Sequence, residues 1–146
     1  MKLTSPTIKD GGVMPKKYAG DGPDVSPPLH LDEIPAQAKS LALLVDDPDA
    51  PKGPFNHWVV YNIDPHTHDF REGSVPVIAA QGQNDFGEMR YNGPRPPSGE
   101  HHYHFKAFAL DCMLNLPAHP RHTDVEKAME GHVLDQAELT ARYAKN

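Results

Sequence analysis

The sequence holds one cysteine, Cys112, which excludes an internal disulfide and fits a reducing compartment. Long apolar runs are also missing. No stretch approaches the ~20 residues that a bilayer-crossing helix needs. Basic residues are scarce: 14 Lys and Arg stand against 20 Asp and Glu, for a net charge of −6 with His neutral. That balance argues against nucleic-acid binding by phosphate neutralisation and against a basic face for anionic membranes. The densest basic spot is only Lys16-Lys17. Residues Met1 to Lys9 lack the charged-then-apolar order of a signal peptide, so the chain reads as cytoplasmic. Internal repeats, low-complexity blocks and linkers are lacking too, and 146 residues match one ordinary domain, spanning 1–146.

Proline and glycine are plentiful. The 16 Pro and 11 Gly make up roughly 18% of the chain, where about 12% is average. Interior proline removes a helical hydrogen bond and clashes with the preceding turn, so a helical bundle is disfavoured and a strand-and-loop architecture expected. Lys2 to Thr7 reads as a short strand, Asp10-Gly11-Gly12 as a turn, and Gly20 to Pro28 as a polar loop. Leu29 and Leu31 alternate with His30 and Asp32, the pattern of a brief edge strand.

Ser40 to Asp46 and Trp58 to Ile63 are nearly continuous apolar runs of strand length, which places them centrally in a sheet with both faces buried. His101 to Leu110 alternates, with His101, Tyr103, Phe105, Ala107 and Ala109 on the core face. The last segment changes period. Thr123-Asp124-Val125-Glu126 has capping-box spacing, with Thr123 as N-cap. Val125, Ala128, Met129, His132 and Val133 follow helical spacing, and Leu134, Ala137 and Ala141 continue the stripe as a C-terminal helical region. Gly131 interrupts it and marks either a bend or a close backbone contact. Strands dominate, which favours a mainly β domain.

Chemistry gathers at three strand ends. Asp46-Asp47-Pro48-Asp49-Ala50-Pro51 leaves the first buried strand, stiffened by two prolines. Pro54-Phe55-Asn56-His57-Trp58 enters the second, and Tyr91 to Tyr103 carries a Gly- and Pro-rich loop into the third. Each alone reads more readily as a solvated turn or a structural histidine. Together they predict that Asp47, His57 and His101 line one pocket with Gly93 offering a backbone N–H. A carboxylate near the imidazoles is expected to raise their pKa values. Imidazolium plus backbone donors forms an anion site suited to phosphate or carboxylate.

These segments resemble the phosphatidylethanolamine-binding protein family. The likeness rests on Asp47-Pro48-Asp49-Ala50-Pro51, Phe55-Asn56-His57-Trp58 and Gly93-Pro94-Arg95-Pro96-Pro97-Ser98-Gly99 leading to His101-His102-Tyr103. Asp21 to Leu29, Asn84-Asp85-Phe86-Gly87, Ala109-Leu110-Asp111 and Gly131-His132-Val133-Leu134 are similar to its bacterial and archaeal branch, the Raf kinase inhibitor-like proteins. The resemblance implies a Greek-key antiparallel sheet packed on a smaller sheet, with peripheral helices. It implies a small anion pocket at the strand ends, for phosphate, phosphomonoesters or phospholipid head groups. Asp47, His57 and His101 fall on its pocket positions, Gly93 and Pro94 on the rim, Tyr103 on an aromatic wall, and Asp49 on a residue that orders the loop. It further implies a protein partner, a kinase or serine protease that is inhibited, and a homodimer. One position departs: the family's His-Arg-Tyr is His101-His102-Tyr103 here. Losing Arg alters either the stability of the outer face or the pH dependence of anion binding.

The leading expectation is a non-catalytic binding protein with no cofactor and no metal. Inhibition of a serine protease or kinase is the alternative. A weak esterase or phosphoesterase using Asp47, His57 and His101 is the third reading. It lacks a nucleophile, because Ser98 is not in a nucleophile-elbow pattern. His102 and His104 stand roughly 6.5–7 Å apart on one strand face, a metal-compatible spacing without a third ligand. Cys112 reads as a small, partly buried residue.

Overall fold

The computed structural model describes residues 1–145. It contains eight strands: β1 (Lys2–Thr4), β2 (Leu29–Asp32), β3 (Ser40–Asp47), β4 (Phe55–Ile63), β5 (Asp69–Phe70), β6 (Ala80–Gln81), β7 (Glu100–Leu110) and β8 (Val133–Ala144). One α-helix, α1 (His122–Met129), and a short 3-10 turn at Lys16–Tyr18 complete the regular structure. The five-stranded sheet has the order β6-β4-β3-β7-β8, and the smaller one β1-β2-β5, with antiparallel neighbours throughout. Within the large sheet, β7 returns by a long connection to lie beside β3. The resulting spatial order β7-β3-β4-β6 is a Greek key, with β5 leaving to the small sheet.

Every residue of β3 is buried because both of its faces are covered. Leu41, Leu43 and Val45 face the space between the sheets, where they pack with Leu29, Leu31, Trp58, Phe70 and Phe105. Ala42 and Leu44 face the other way, against Val59, Leu110, Leu114 and, from α1, Val125 and Met129. The alternation read in β7 holds: His101, Tyr103, Phe105, Ala107 and Ala109 are all buried.

Two elements differ from expectation. β2 is the middle strand of its sheet, not an edge, because two- and three-residue strands flank it on both sides. The C-terminal helical region ends at Met129, and residues 133–144 form a strand paired with β7 along its length. Gly131, with φ of 79°, takes the left-handed turn that stops the helix. From Leu139 on, Leu139, Ala141 and Tyr143 are buried in strict alternation, so sheet pairing outweighs the helical spacing of the small residues. The helix also starts earlier than Thr123. Arg121 is the N-cap, its N–H donating to the Asp124 carboxylate at 2.8 Å, and the Asp85 carboxylate pairs with the Arg121 guanidinium. Among the described residues no helix is long and apolar enough to cross a membrane.

Candidate functional site

β4, β3 and β7 are adjacent, so the end of β3 lies between the starts of β4 and β7. This topology brings Asp47, His57, His101 and Tyr103 together. Asp47 Oδ2 meets His101 Nδ1 at 2.6 Å, and both side chains are buried. Asp47 Oδ1 accepts the Asp49 N–H at 2.8 Å, which turns the chain sharply out of the strand. The Tyr103 ring lies 6.5 Å from that of His101, near parallel, and 5.2 Å from that of His57, edge-on. Phe55 and Phe86 close the other side of His57, at 5.4 and 5.3 Å between ring centroids. The Arg95 guanidinium stands 5.5 Å from the centre of the Phe86 ring.

His57 is held from behind. Its Nδ1 lies 2.7 Å from the Asn92 carbonyl, which only accepts, so Nδ1 carries the proton and Nε2 is the basic nitrogen of the neutral ring. Burial pushes the His57 pKa down. The Asn92 carbonyl and the Asp47 and Asp46 carboxylates oppose this shift and lose to it. This corrects the expectation of a raised value: the carboxylates are present, but loss of water around a buried imidazole outweighs them.

Tyr103 is 1% exposed, and its hydroxyl has no hydrogen-bond partner among the described residues. Burial, joined by the charges of Asp47 and Asp49, raises its pKa far above the ordinary phenol value. Tyr103 is therefore a neutral donor, with an O–H that costs roughly 1–3 kcal/mol while unpaired.

Asp49 is exposed and accepts from both the backbone N–H and the Nδ1 of His102, each at 2.8 Å. Those bonds hold its carboxyl below the usual range. The histidine that stands where the family has Arg thus faces outward and ties the acidic loop to β7. His104, on the same strand face, pairs with Glu138 at 3.2 Å.

Gly93 and Pro94 are buried beside the site, but the Gly93 N–H does not face a ligand. It donates to Asp24 Oδ1 at 2.6 Å. A Cβ at Gly93 would sit 2.0 Å from the Tyr18 carbonyl, so close backbone approach requires glycine here. The offered backbone donor is corrected accordingly: a carboxylate 69 residues away has claimed it.

Sequence reasoning missed the residues that hold the site from outside. Asp24 adopts a left-handed backbone, φ 61°, and also reaches Arg90 and Arg95 at 3.5 and 3.3 Å. Asn84, fully buried, donates to the Arg90 carbonyl and the Asn92 side chain and accepts the N–H groups of Phe86 and Glu88. Asp24, Asn84 and Phe86 all lie in segments that the family resemblance picks out but that no periodicity or spacing marks.

The comparisons with known proteins bear on the family and the fold. A UPF0098 protein of Methanothermobacter thermautotrophicus is 45% identical, over 99% of both chains. One from Pyrococcus horikoshii is 46% identical, over 90% of this chain and 71% of its own. Among solved structures, a Chlamydia trachomatis protein described as a phosphatidylethanolamine-binding protein homologue superposes with a TM-score of 0.94 at 40% identity, covering 99% of this chain and 97% of that one. Escherichia coli YbcL, described as a member of the mammalian family, gives 0.93 at 30% identity, over 99% and 98%. The family model for phosphatidylethanolamine-binding protein matches residues 4–144, and the chain belongs to that family.

Proposed function

We propose that this chain is a non-catalytic binding protein whose site at Asp47, His57, His101 and Tyr103 takes a small anion: phosphate, a phosphomonoester or a phospholipid head group. Family membership supports the broader part, a binding protein. The observation that carries the finer part is the buried pair of Asp47 and His101 at 2.6 Å, with the Tyr103 ring 6.5 Å from that of His101 and its hydroxyl unpartnered among the described residues. Asp47 takes Nδ1 of His101 and leaves the other ring nitrogen for a ligand. In the imidazolium form that nitrogen donates a charge-assisted bond to an anion's oxygen, and Tyr103 O–H supplies a second, neutral donor. His57, neutral when free because burial lowers its pKa, takes up a proton as the anion arrives. Asp49 and Pro94 shape the rim, and Gly93 supports it through Asp24. A phosphorylated side chain of a kinase or protease partner would use the same chemistry.

Hydrolysis fits less well. Both Asp47 oxygens are engaged, Oδ1 by Asp49 and Oδ2 by His101, so the carboxylate is a scaffold and not a free base. Ser98 is exposed on a separate loop.

The test is an imidazole NMR titration with inorganic phosphate, phosphorylethanolamine and a phosphoserine peptide. His57 and His101 signals should move saturably, with tighter binding at low than at high pH, and Tyr103→Phe should weaken it by roughly tenfold, the loss of a hydrogen bond to a charged group. Phosphate that leaves both rings unmoved overturns the reading. A peptide that binds where the small ligands do not would make the protein partner the ligand.

A further inference from the structure

At the far end of β7 lies a polar group that anion binding does not use. β7 ends at Leu110 and the chain turns through Asp111 and Cys112, while His132 stands directly before β8. Strand pairing and one backbone hydrogen bond hold these segments side by side. Leu110 is in register with Val133, and the Asp111 N–H donates to the His132 carbonyl at 3.0 Å. The buried Ser40 hydroxyl donates to the Cys112 carbonyl at 2.6 Å and fixes the cysteine's backbone. As a result an Asp111 carboxylate oxygen, the Cys112 sulfur and a His132 ring nitrogen all lie within 4.8 Å of one another. About ten residues of extended strand, roughly 30 Å, separate them from His101.

The donor set distinguishes this group from an ordinary surface ion pair. Calcium and magnesium take oxygen ligands, whereas a thiolate with an imidazole and one carboxylate matches borderline first-row divalent ions such as Zn²⁺ or Co²⁺. His132 and Asp111 side chains are 47% and 45% exposed, so an ion can enter from solvent. The loop and the strand start are anchored by backbone bonds, so the three donors need only side-chain rotation to close on a centre. His132 Nδ1 already lies 2.8 Å from the Asp111 carboxylate, as His102 and His104, which spacing singled out, lie against Asp49 and Glu138; what sets His132 apart is the Cys112 sulfur within reach of its pair.

We propose that Asp111, Cys112 and His132 form a binding site for a zinc-class divalent cation. On binding, the ion gives up bound waters, the 2.8 Å hydrogen bond between His132 and Asp111 breaks, a metal–sulfur bond forms at Cys112, and the thiol proton leaves to solvent. Lone pairs of the His132 ring and the Asp111 carboxylate supply two further bonds, and water takes the fourth position of the tetrahedron. No electron is transferred, so no oxidant or reductant is needed.

The experiment is a titration of the full chain with Co²⁺ alone, read by the thiolate-to-metal charge-transfer absorption. One equivalent should saturate the band. Cys112→Ser should abolish it, His132→Ala should weaken the affinity by at least about tenfold, and Zn²⁺ should displace it. A wild-type chain without the band overturns the proposal. So does a band that survives Cys112→Ser, or one that keeps its affinity in His132→Ala and thereby reports a lone thiol. Should a variant fail to fold, the wild type still decides. Cys112 is the sole cysteine, so its alkylation by iodoacetamide reports on this site alone. Zn²⁺ should slow that reaction about tenfold or more, as expected for a coordinated sulfur, and an unchanged rate refutes the site.

Discussion

His57 sets position against charge. It is 4% exposed, backed by the Asn92 carbonyl and ringed by Phe55, Phe86 and Tyr103, so the folded protein resists protonating it. The unfolded chain does not resist, and its histidines titrate near their ordinary value of about 6.5. Below that pH the unfolded state binds the proton that the folded state refuses, and stability falls until the depressed folded pKa is reached. His57 should therefore lower the wild-type thermal midpoint as pH falls from about 7.5 to 5, against the opposite contribution of His30, whose pKa the Asp69 hydrogen bond raises. The decline should be shallower in His57→Asn, whose amide keeps a donor where Nδ1 stood. Equal slopes in the two proteins would mean that His57 is not the group responsible. At this scale the sequence exposed Asp47, His57 and His101, because each stands at a strand end against a proline-stiffened turn. It could not expose the shift at His57, since burial belongs to the fold and not to the neighbours in sequence. Nor could it expose the fate of the Gly93 N–H, taken by Asp24 from a loop with no periodicity to read.

The element that frames the site is the turn between β3 and β4. Two carboxylates organise it. Asp47 caps the Asp49 N–H from inside, and Asp49 reaches across to the backbone and ring of His102 in β7. The second tie is exposed, and exposed ion pairs contribute about 0–1 kcal/mol. Asp49→Ala should accordingly leave the global unfolding transition nearly unchanged. Amide exchange at Ala50, Lys52 and Gly53 and at the His102 N–H should quicken, because a local opening no longer breaks that bond. Exchange at wild-type rates would show that the prolines alone hold the turn. Other elements were read with uneven success for physical reasons. β3 and β4 carry apolar residues on both faces, without an interrupting proline. β8 carries Val133, Leu134, Ala137 and Ala141 at spacings that also suit a helix, and its first six residues are half-exposed or exposed. Its identity comes from pairing with β7, and pairing is a long-range fact. α1 was found, but its start was misplaced, because Asp85, distant in sequence, fixes Arg121.

For the whole molecule, the question is whether two apolar clusters make one cooperative unit. The cluster between the sheets and the cluster under α1 share β3: Leu43 belongs to the first and Leu44 to the second. Adjacent residues of one strand thus support opposite sides of the protein, and neither cluster can dissolve without removing the wall of the other. The site hangs on the same strand through Asp47. We therefore expect one transition. Leu43→Ala and Leu44→Ala should each cost about 2–5 kcal/mol, the range for a buried leucine truncated to alanine. Trp58, the sole tryptophan, is buried in the inter-sheet cluster and reports that side by fluorescence, while far-ultraviolet circular dichroism reports the backbone as a whole. In urea the two probes should give coincident curves for the wild type and both variants. Were Leu44→Ala to shift the dichroism and leave the Trp58 transition in place, the helix side would be a separate unit. The chain would then fold as two cooperative parts around a common strand.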